Sequence, residues 1–397
     1  MSLDQSKIDA IEKASGHSVF GSSSLPRIVA CPASVGEELN AGLKPSSIYA
    51  AKGTELHAWT EKALKAKDPR EYILKSDLSI DDTAYILDCI DYFFKIAAKH
   101  PDDGSLEVSL EKRGNLQSYG LPEVWGTMDV LITSSLRVDV IDWKFGHGVA
   151  VSAKNNIQCL SYLGMAVPYS DSTPLQDRKL FTHIAQPPLQ IFEAEPVSYD
   201  KLNQTILGDI TDAITNARSA APKYGPSNKA CRFCKANMRC RARHKWLQDQ
   251  ALAIQRMSKD PAAVSNEAWS KFLVAARAMK QAISDIESHA INEIMAGRDF
   301  PGFKVVAGRS NRAFVDQEKG EAFIKERLGD KAFQPPKMIS LAQAEKVDRT
   351  LKRDYEWNNL IHTPQGKPKL VGANEAGKAL TFGVSSIFND IASGKIK

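Results

Sequence analysis

Nowhere in the 397 residues does an apolar run approach the ~20 residues that cross a bilayer. The opening stretch, MSLDQSKIDAIEKASG, also lacks the apolar centre of a secretory signal. These two absences argue against a membrane-spanning or exported protein and predict a cytoplasmic one. There is no internal repeat and no low-complexity segment, which excludes a repeat array. A strong charge of one sign is missing too: 52 Lys and Arg against 47 Asp and Glu leave a net charge of +5, compatible with a polyanionic partner without requiring one. Cysteine is scarce, six in all, and in a reducing compartment clustered cysteines bind metal more often than they pair as disulfides. What remains is an ordinary globular composition, 43% hydrophobic and 25% charged, long enough for two domains or for one large domain with an appendage.

The pattern along the chain changes three times. Gly21–Ser34 reads as a short helix with Pro26 in its first turn and Cys31-Pro32 at its end. Longer helices follow over Gly53–Lys67 and Ile80–Lys99, the latter with Tyr85, Ile86, Ile90, Phe93 and Phe94 as its apolar stripe. From Ser105 the alternation of SLEVSLE, then GTMDVLIT and LRVDVIDWK, predicts three strands. AKNNIQCLSYLGMAV has helical spacing, KLFTHIAQPP reads as a strand, and Tyr199–Ser219 as a helix that stops at PKYGPS. This order predicts an α/β core with a mixed sheet flanked by helices. Residues 251–397 read as a separate helix-rich module: a long amphipathic helix over Pro261–Ala296 stopped by Gly297, a hairpin at FKVVAGRSNRAFVD, and a tail with the loop TPQGKPKLVGAN.

Chemistry concentrates in EVWGTMDVLITSSLRVDVIDWK and the helix after it. Asp129 lies at the GTMD turn and strand, while Asp142 and Lys144, two apart on the next strand, project from one face. Two carboxylates on neighbouring strands can hold Mg²⁺, a hard cation that prefers oxygen, and the Trp143 carbonyl could add another oxygen. Lys144 would orient an attacking water or stabilise charge on a phosphate. Taken singly, Asp-x-Lys fits a surface ion pair equally well. Further residues join it: Gln158 and Tyr162 at i and i+4 of the following helix, His57 in GTELH upstream, and Glu107 on the strand before GTMD, with Glu111 on the same face.

In this order the residues resemble the PD-(D/E)XK nuclease superfamily and, within it, the RecB-like branch. That branch reads G-x-x-x-H, an acidic strand, G-x-x-D, D/E-x-K and Q-x-x-x-Y, here Gly53…His57, Glu107, Gly126…Asp129, Asp142…Lys144 and Gln158…Tyr162. The proline-aspartate form is absent, replaced by the glycine form that the branch commonly uses. The resemblance implies a restriction-endonuclease-like core over residues 1–250. It also implies a metal-dependent DNA exonuclease in which Asp129, Asp142, the Trp143 carbonyl and His57 bind one or two Mg²⁺ or Mn²⁺ ions. Lys144 would position the attacking water, and Gln158 and Tyr162 would orient DNA or Lys144. IDWKFGHGVAVSAKNNIQCLSYLGMA, with GRSNRAF…PKMISLAQAEK…GKPKLV, is further similar to phage and prophage proteins. That implies a virally encoded nuclease of DNA recombination in a bacterial host, paired with a single-strand annealing protein.

CRFCKANMRC holds three of the six cysteines, Cys231, Cys234 and Cys240. Some RecB-like nucleases, the AddB subunit and CRISPR-adaptation nucleases among them, hold a [4Fe-4S] cluster on such a triplet and one distant N-terminal cysteine. The resemblance thus implies Cys31 as the fourth ligand and a cluster that staples the two ends of the nuclease domain. By ligand chemistry alone four thiolates fit Zn²⁺ as well. Cys89 and Cys159 fall on apolar helix faces and read as core. Around the triplet, Arg232, Lys235, Arg239, Arg241, Arg243 and Lys245 face one acid, Asp249. They form either a solvated helix face or a DNA-binding, phosphate-facing surface. Arg309, Arg312, Lys367 and Lys369 could clamp DNA or contact a partner, or the C-terminal module could be scaffolding; a homo-oligomer is a further expectation. A non-catalytic DNA-binding or assembly protein, a redox or zinc-binding regulator and a structure-specific endonuclease are the competing readings.

Overall fold

The computed structural model describes residues 3–42, 48–167, 178–257, 265–307, 313–334, 337–338, 341–362 and 368–372. Three short helices open it: α1 (Gln5–Ser15), capped by the Asp4 carboxylate, α2 (Leu25–Ala30) and α3 (Ser34–Ala41). The one helix expected over Gly21–Ser34 is therefore broken. Cys31 precedes Pro32, and a residue before proline is driven out of the helical region; its φ of −151° and ψ of 82° end α2. Next come α4 (Ile48–Lys65), α5 (Pro69–Leu74) and α6 (Ile80–Ala97). In α6 the Ser79 side chain accepts from the Asp82 amide, and Asp81 and Asp82 complement the helix dipole.

A five-stranded sheet follows in the order β1 (Glu107–Leu116), β2 (Leu121–Thr133), β3 (Arg137–Trp143), β4 (Lys179–Gln186), β5 (Ile191–Val197). Every neighbouring pair is antiparallel except β3 and β4, which are parallel and joined through α7 (Ile157–Ala166). The mixed sheet agrees with the α/β expectation. Strand β5 was not anticipated: IFEAEPV carries two glutamates and Pro196, and proline fits a strand only at an edge, where β5 lies. Alternation along β3 feeds two cores, Val138 and Val140 on one face with α2 and α7, Ile141 and Trp143 on the other with α4 and α6. Cys89 and Cys159 are both fully buried. Beyond the sheet, α8 (Tyr199–Asn203) widens into π turns over Gln204–Ile210 before α9 (Thr211–Arg218). Gly164 on α7 admits this run closely, since a Cβ there would lie 2.3 Å from Ile206 Cδ1. Then come α10 (Asn228–Cys231), α11 (Arg241–Met257) and α12 (Asn266–Met295).

The chain divides into compact units at Met1–Gln281 and Ala282–Lys397, later than the 250/251 boundary read from the sequence and within α12. In the second unit Ile324, Ala332, Ala344, Leu351 and Trp357 form a small core, and the Trp357 indole donates to Glu345 Oε1 at 3.2 Å. Among the described residues the expected hairpin is not formed. Phe303–Ala307 pairs instead with Pro368–Gly372, inside the expected loop TPQGKPKLVGAN, and Ala313–Phe314 pairs with Ile361–His362. Both pairings close over long sequence separations that local turn signals do not reveal. Arg309, Arg312 and Lys367 lie outside the described residues, while Lys369 is in the strand Pro368–Gly372. Among the described residues no helix is long and apolar enough to cross a membrane.

Candidate functional site

Antiparallel pairing sets Val130 opposite Ile141, so one rung further Asp129 and Asp142 take facing positions on β2 and β3. Asp129 Oδ2 accepts the Trp143 amide at 2.7 Å, and Asp129 Oδ1 lies 3.3 Å from Nδ1 of His57 on α4. The His57 ring packs edge-on against Phe145, centroids 5.2 Å apart. Asp142 is buried, with Oδ2 2.7 Å from Lys144 Nζ. From the first turn of α7, Gln158 ties the group together. Its Nε2 donates to Asp142 Oδ1 at 3.0 Å and to the Tyr162 hydroxyl at 3.2 Å, while its Oε1 accepts from Lys144 at 3.2 Å. Asn156 sets that turn by capping α7 with its side chain on the Cys159 amide. Tyr162 is buried beneath Gly126, where a Cβ would lie 3.0 Å from its ring. It therefore supports Gln158 from below and presents no face to a ligand.

Glu111, not Glu107, joins this group. His57, Glu111 and Asp129 offer ligand atoms within 4.8 Å of one another. Glu107 is exposed at the far end of β1, opposite Thr133, some four residues and roughly 13 Å of strand away. Glu111 sits at φ 49°, a left-handed conformation that a non-glycine residue adopts at a cost of about 1–2 kcal/mol. Such strain concentrates at functional sites, and neither composition nor alternation announces it.

The electrostatics define what these side chains can do. Burial, then the Asp129 charge, pushes the Glu111 carboxyl up to about 7. Burial also raises Asp142, against the pull of Lys144. For Lys144 burial disfavours the charge, but the Asp142 carboxylate outweighs it and the ammonium persists. For His57 burial is likewise overcome by Asp129, so its pKa is raised. Asp142 Oδ2, although ion-paired, receives no hydrogen bond of good geometry. His57, Glu111 and Asp129 form a donor set suited to Mg²⁺ or Mn²⁺, and Asp142 lies outside that group, facing Asp129 across the strand pair.

The four cysteines of the expected centre, Cys31, Cys231, Cys234 and Cys240, line one small cleft with Glu37, Tyr224, Asn237 and Arg243. All are free thiols. Backbone and side-chain bonds lace the two chain ends together: Ala33 N to Lys223 O at 3.1 Å, Tyr224 hydroxyl to Glu37 at 2.6 Å, Lys235 N to Glu38 Oε1 at 2.7 Å. Gly225 permits the approach, because a Cβ there would lie 1.9 Å from the Ala30 carbonyl oxygen. Burial raises the thiols of Cys31 and Cys231 and pushes Cys234 up to about 11. Among the described residues no cysteine group brings three ligand atoms within 4.8 Å. Tetrahedral zinc at Zn–S ≈ 2.3 Å needs sulfurs roughly 3.8 Å apart.

Of the cations expected to face DNA, Arg239 and Arg241 are exposed, and half-buried Arg232 lies over the exposed Phe233 ring at 5.6 Å. Lys235 is half-buried. Arg243 is buried and does not belong to that surface. The sequence reading also missed a second polar group on β3. Asp139, fully buried, takes a bidentate contact from Arg137 (2.6 and 2.7 Å), with His183 at 2.7 Å and His100 at 3.0 Å. The Tyr92 hydroxyl closes it onto His183 at 3.0 Å. An aspartate inside RVDVIDW was the available signal.

The family described as "Protein of unknown function (DUF2800)" matches residues 17–377. A solved chain, "Crystal structure of SSO0001", aligns over 56% of this chain and 96% of its own length at 15% identity, with a TM-score of 0.23. That likeness carries no argument about this fold.

Proposed function

This chain belongs to the DUF2800 family, and we propose that it is a divalent-cation-dependent deoxyribonuclease acting on DNA ends. The observation that carries the reading is the His57–Glu111–Asp129 group with, facing Asp129 on the next strand, the Asp142–Lys144 pair held by Gln158 of α7. Within a mixed α/β unit this is the arrangement expected of a PD-(D/E)XK core.

Asp129, Asp142, Glu111 and His57 would hold the cation, with the Trp143 carbonyl as a further oxygen. When bound, the cation polarises the phosphodiester, makes water more acidic and offsets charge on the leaving oxygen. Lys144, ion-paired to Asp142 at 2.7 Å, would serve as hydrogen-bond donor and countercharge to the phosphate. Gln158 holds Lys144 and Asp142 in register, and Tyr162 holds Gln158. Arg232, Lys235, Arg239 and Arg241 would contact phosphates, making binding steeply salt-dependent. The four cysteines, which line one cleft, would carry a [4Fe-4S] cluster or, by ligand chemistry alone, Zn²⁺. A role in phage recombination beside a single-strand annealing protein completes the reading.

The test is digestion of linear and covalently closed circular DNA by anaerobically purified protein with Mg²⁺ or Mn²⁺. Loss of linear DNA alone, abolished in Asp129→Ala and Lys144→Ala, is expected. Cutting of closed circles would make the enzyme an endonuclease. No digestion of any substrate, single-stranded DNA included, would overturn catalysis in favour of a DNA-binding or assembly role.

A further inference from the structure

The basic run after Cys231 sends its side chains two ways. Arg239, Arg241 and Lys245 are exposed, whereas Arg243, on the first turn of α11, is 3% exposed and lines the cleft of the four cysteines. Its Nη1 donates to the Asn237 carbonyl at 3.0 Å, inside the loop between Cys234 and Cys240. A guanidinium does not shed its proton, so removing it from water is costly unless negative charge shares the site. The cleft supplies Glu37, which already accepts the Tyr224 hydroxyl, and four thiols that lose their protons when they bind metal. Four thiolates around one zinc ion or one oxidised four-iron cluster leave the centre net negative.

We propose that Arg243 is a positioning residue of the cysteine metal centre. Its guanidinium compensates the surplus thiolate charge and, through Asn237, holds the Cys234–Cys240 loop in its liganding shape. It makes no phosphate contact. The inference rests on the cysteines being a metal centre and is independent of whether the chain cleaves DNA.

The experiment compares the full chain with Arg243→Met, Arg243→Lys and Lys229→Gln, all purified anaerobically. The last removes an exposed charge from the same segment. Iron, zinc and sulfide per chain are measured, then release of metal to excess chelator, with circular dichroism reporting the fold. Arg243→Met should release its metal about tenfold faster, as loss of a group supporting metal ligands typically does. Arg243→Lys should fall between, Lys229→Gln should match the unaltered chain, and the salt dependence of DNA binding by loaded Arg243→Met should be unchanged. Unaltered retention in Arg243→Met, with a shallower salt dependence, overturns the inference and makes Arg243 a phosphate contact. If Arg243→Met does not fold, Arg243→Lys decides, and release at the unaltered rate overturns the inference. An unaltered chain free of iron and zinc overturns the metal centre itself, a result distinct from either.

Discussion

Glu111 owes its place beside Asp129 to the register of β1 on β2, where Leu110 faces Val130 and Lys112 faces Met128. Glu111→Gln is therefore expected to raise the Mn²⁺ concentration for half-saturation about tenfold or more, while Glu107→Gln leaves it unchanged; a Mn²⁺ titration followed by electron spin resonance separates them. Equal effects of both would place the cation elsewhere. Gly126 is a second residue-scale case. An alanine there meets the Tyr162 ring at 3.0 Å and Ser22 Oγ at 3.1 Å, and overpacking of this kind costs about 1–3 kcal/mol, readable as a lower urea midpoint. His57, Asp129, Asp142, Lys144, Gln158 and Tyr162 were legible as a set only through the family order they resemble, since singly each fits a structural role equally well. Glu107 was not distinguishable from Glu111 because alternation gives a face and not a height along the strand.

At the scale of elements, β3 carries two polar groups on opposite faces: Asp142 toward α7, and Asp139 toward α6 among His183, His100 and Arg137. Burial raises the Asp139 carboxyl, but its bonds to His183 and Arg137 outweigh that and hold its pKa below the ordinary range. A carboxylate with a depressed folded-state pKa contributes stability above its unfolded pKa of about 3.9 and loses it as pH falls through the folded value. Asp139→Asn should thus destabilise the first unit by about 3 kcal/mol near neutrality, since it strands the largely buried Arg137 guanidinium. The difference should narrow in acid below about pH 4. Denaturant melts at pH 7 and pH 3 measure this, and a difference that does not narrow would mean that Asp139 is not ionised in the fold. The longer helices α4, α6, α7 and α12 and the first four strands were readable because their apolar spacing is local. Strand β5 and the pairings of Phe303–Ala307 were not, because an edge strand tolerates proline and glutamate, and distant partners leave no mark on short-range pattern.

Across the whole molecule, Cys31 and Cys231 are separated by roughly 200 residues that include the entire sheet. A metal centre closing that loop could stabilise the fold by up to about 5 kcal/mol on chain-entropy grounds. Cys31→Ser, or prolonged chelation of the native chain, is expected to lower the thermal midpoint by several degrees and to expose the Ala33–Lys223 junction to proteolysis. A midpoint that ignores both treatments would mean that the hydrogen bonds at Ala33, Glu37 and Glu38 hold the ends unaided.

Residue types and local periodicity determined the α/β class, the longer helices and most of the sheet, while the gathering of Asp129, Asp142, Lys144 and the four cysteines was implied by the family resemblance their order carries. Only the tertiary structure decided which glutamate reaches Asp129, that Arg243 turns inward to the cysteines instead of outward to solvent, and that Asp139 anchors a buried network. Those outcomes depend on strand register, helix orientation and burial, quantities fixed by residues far away in the chain.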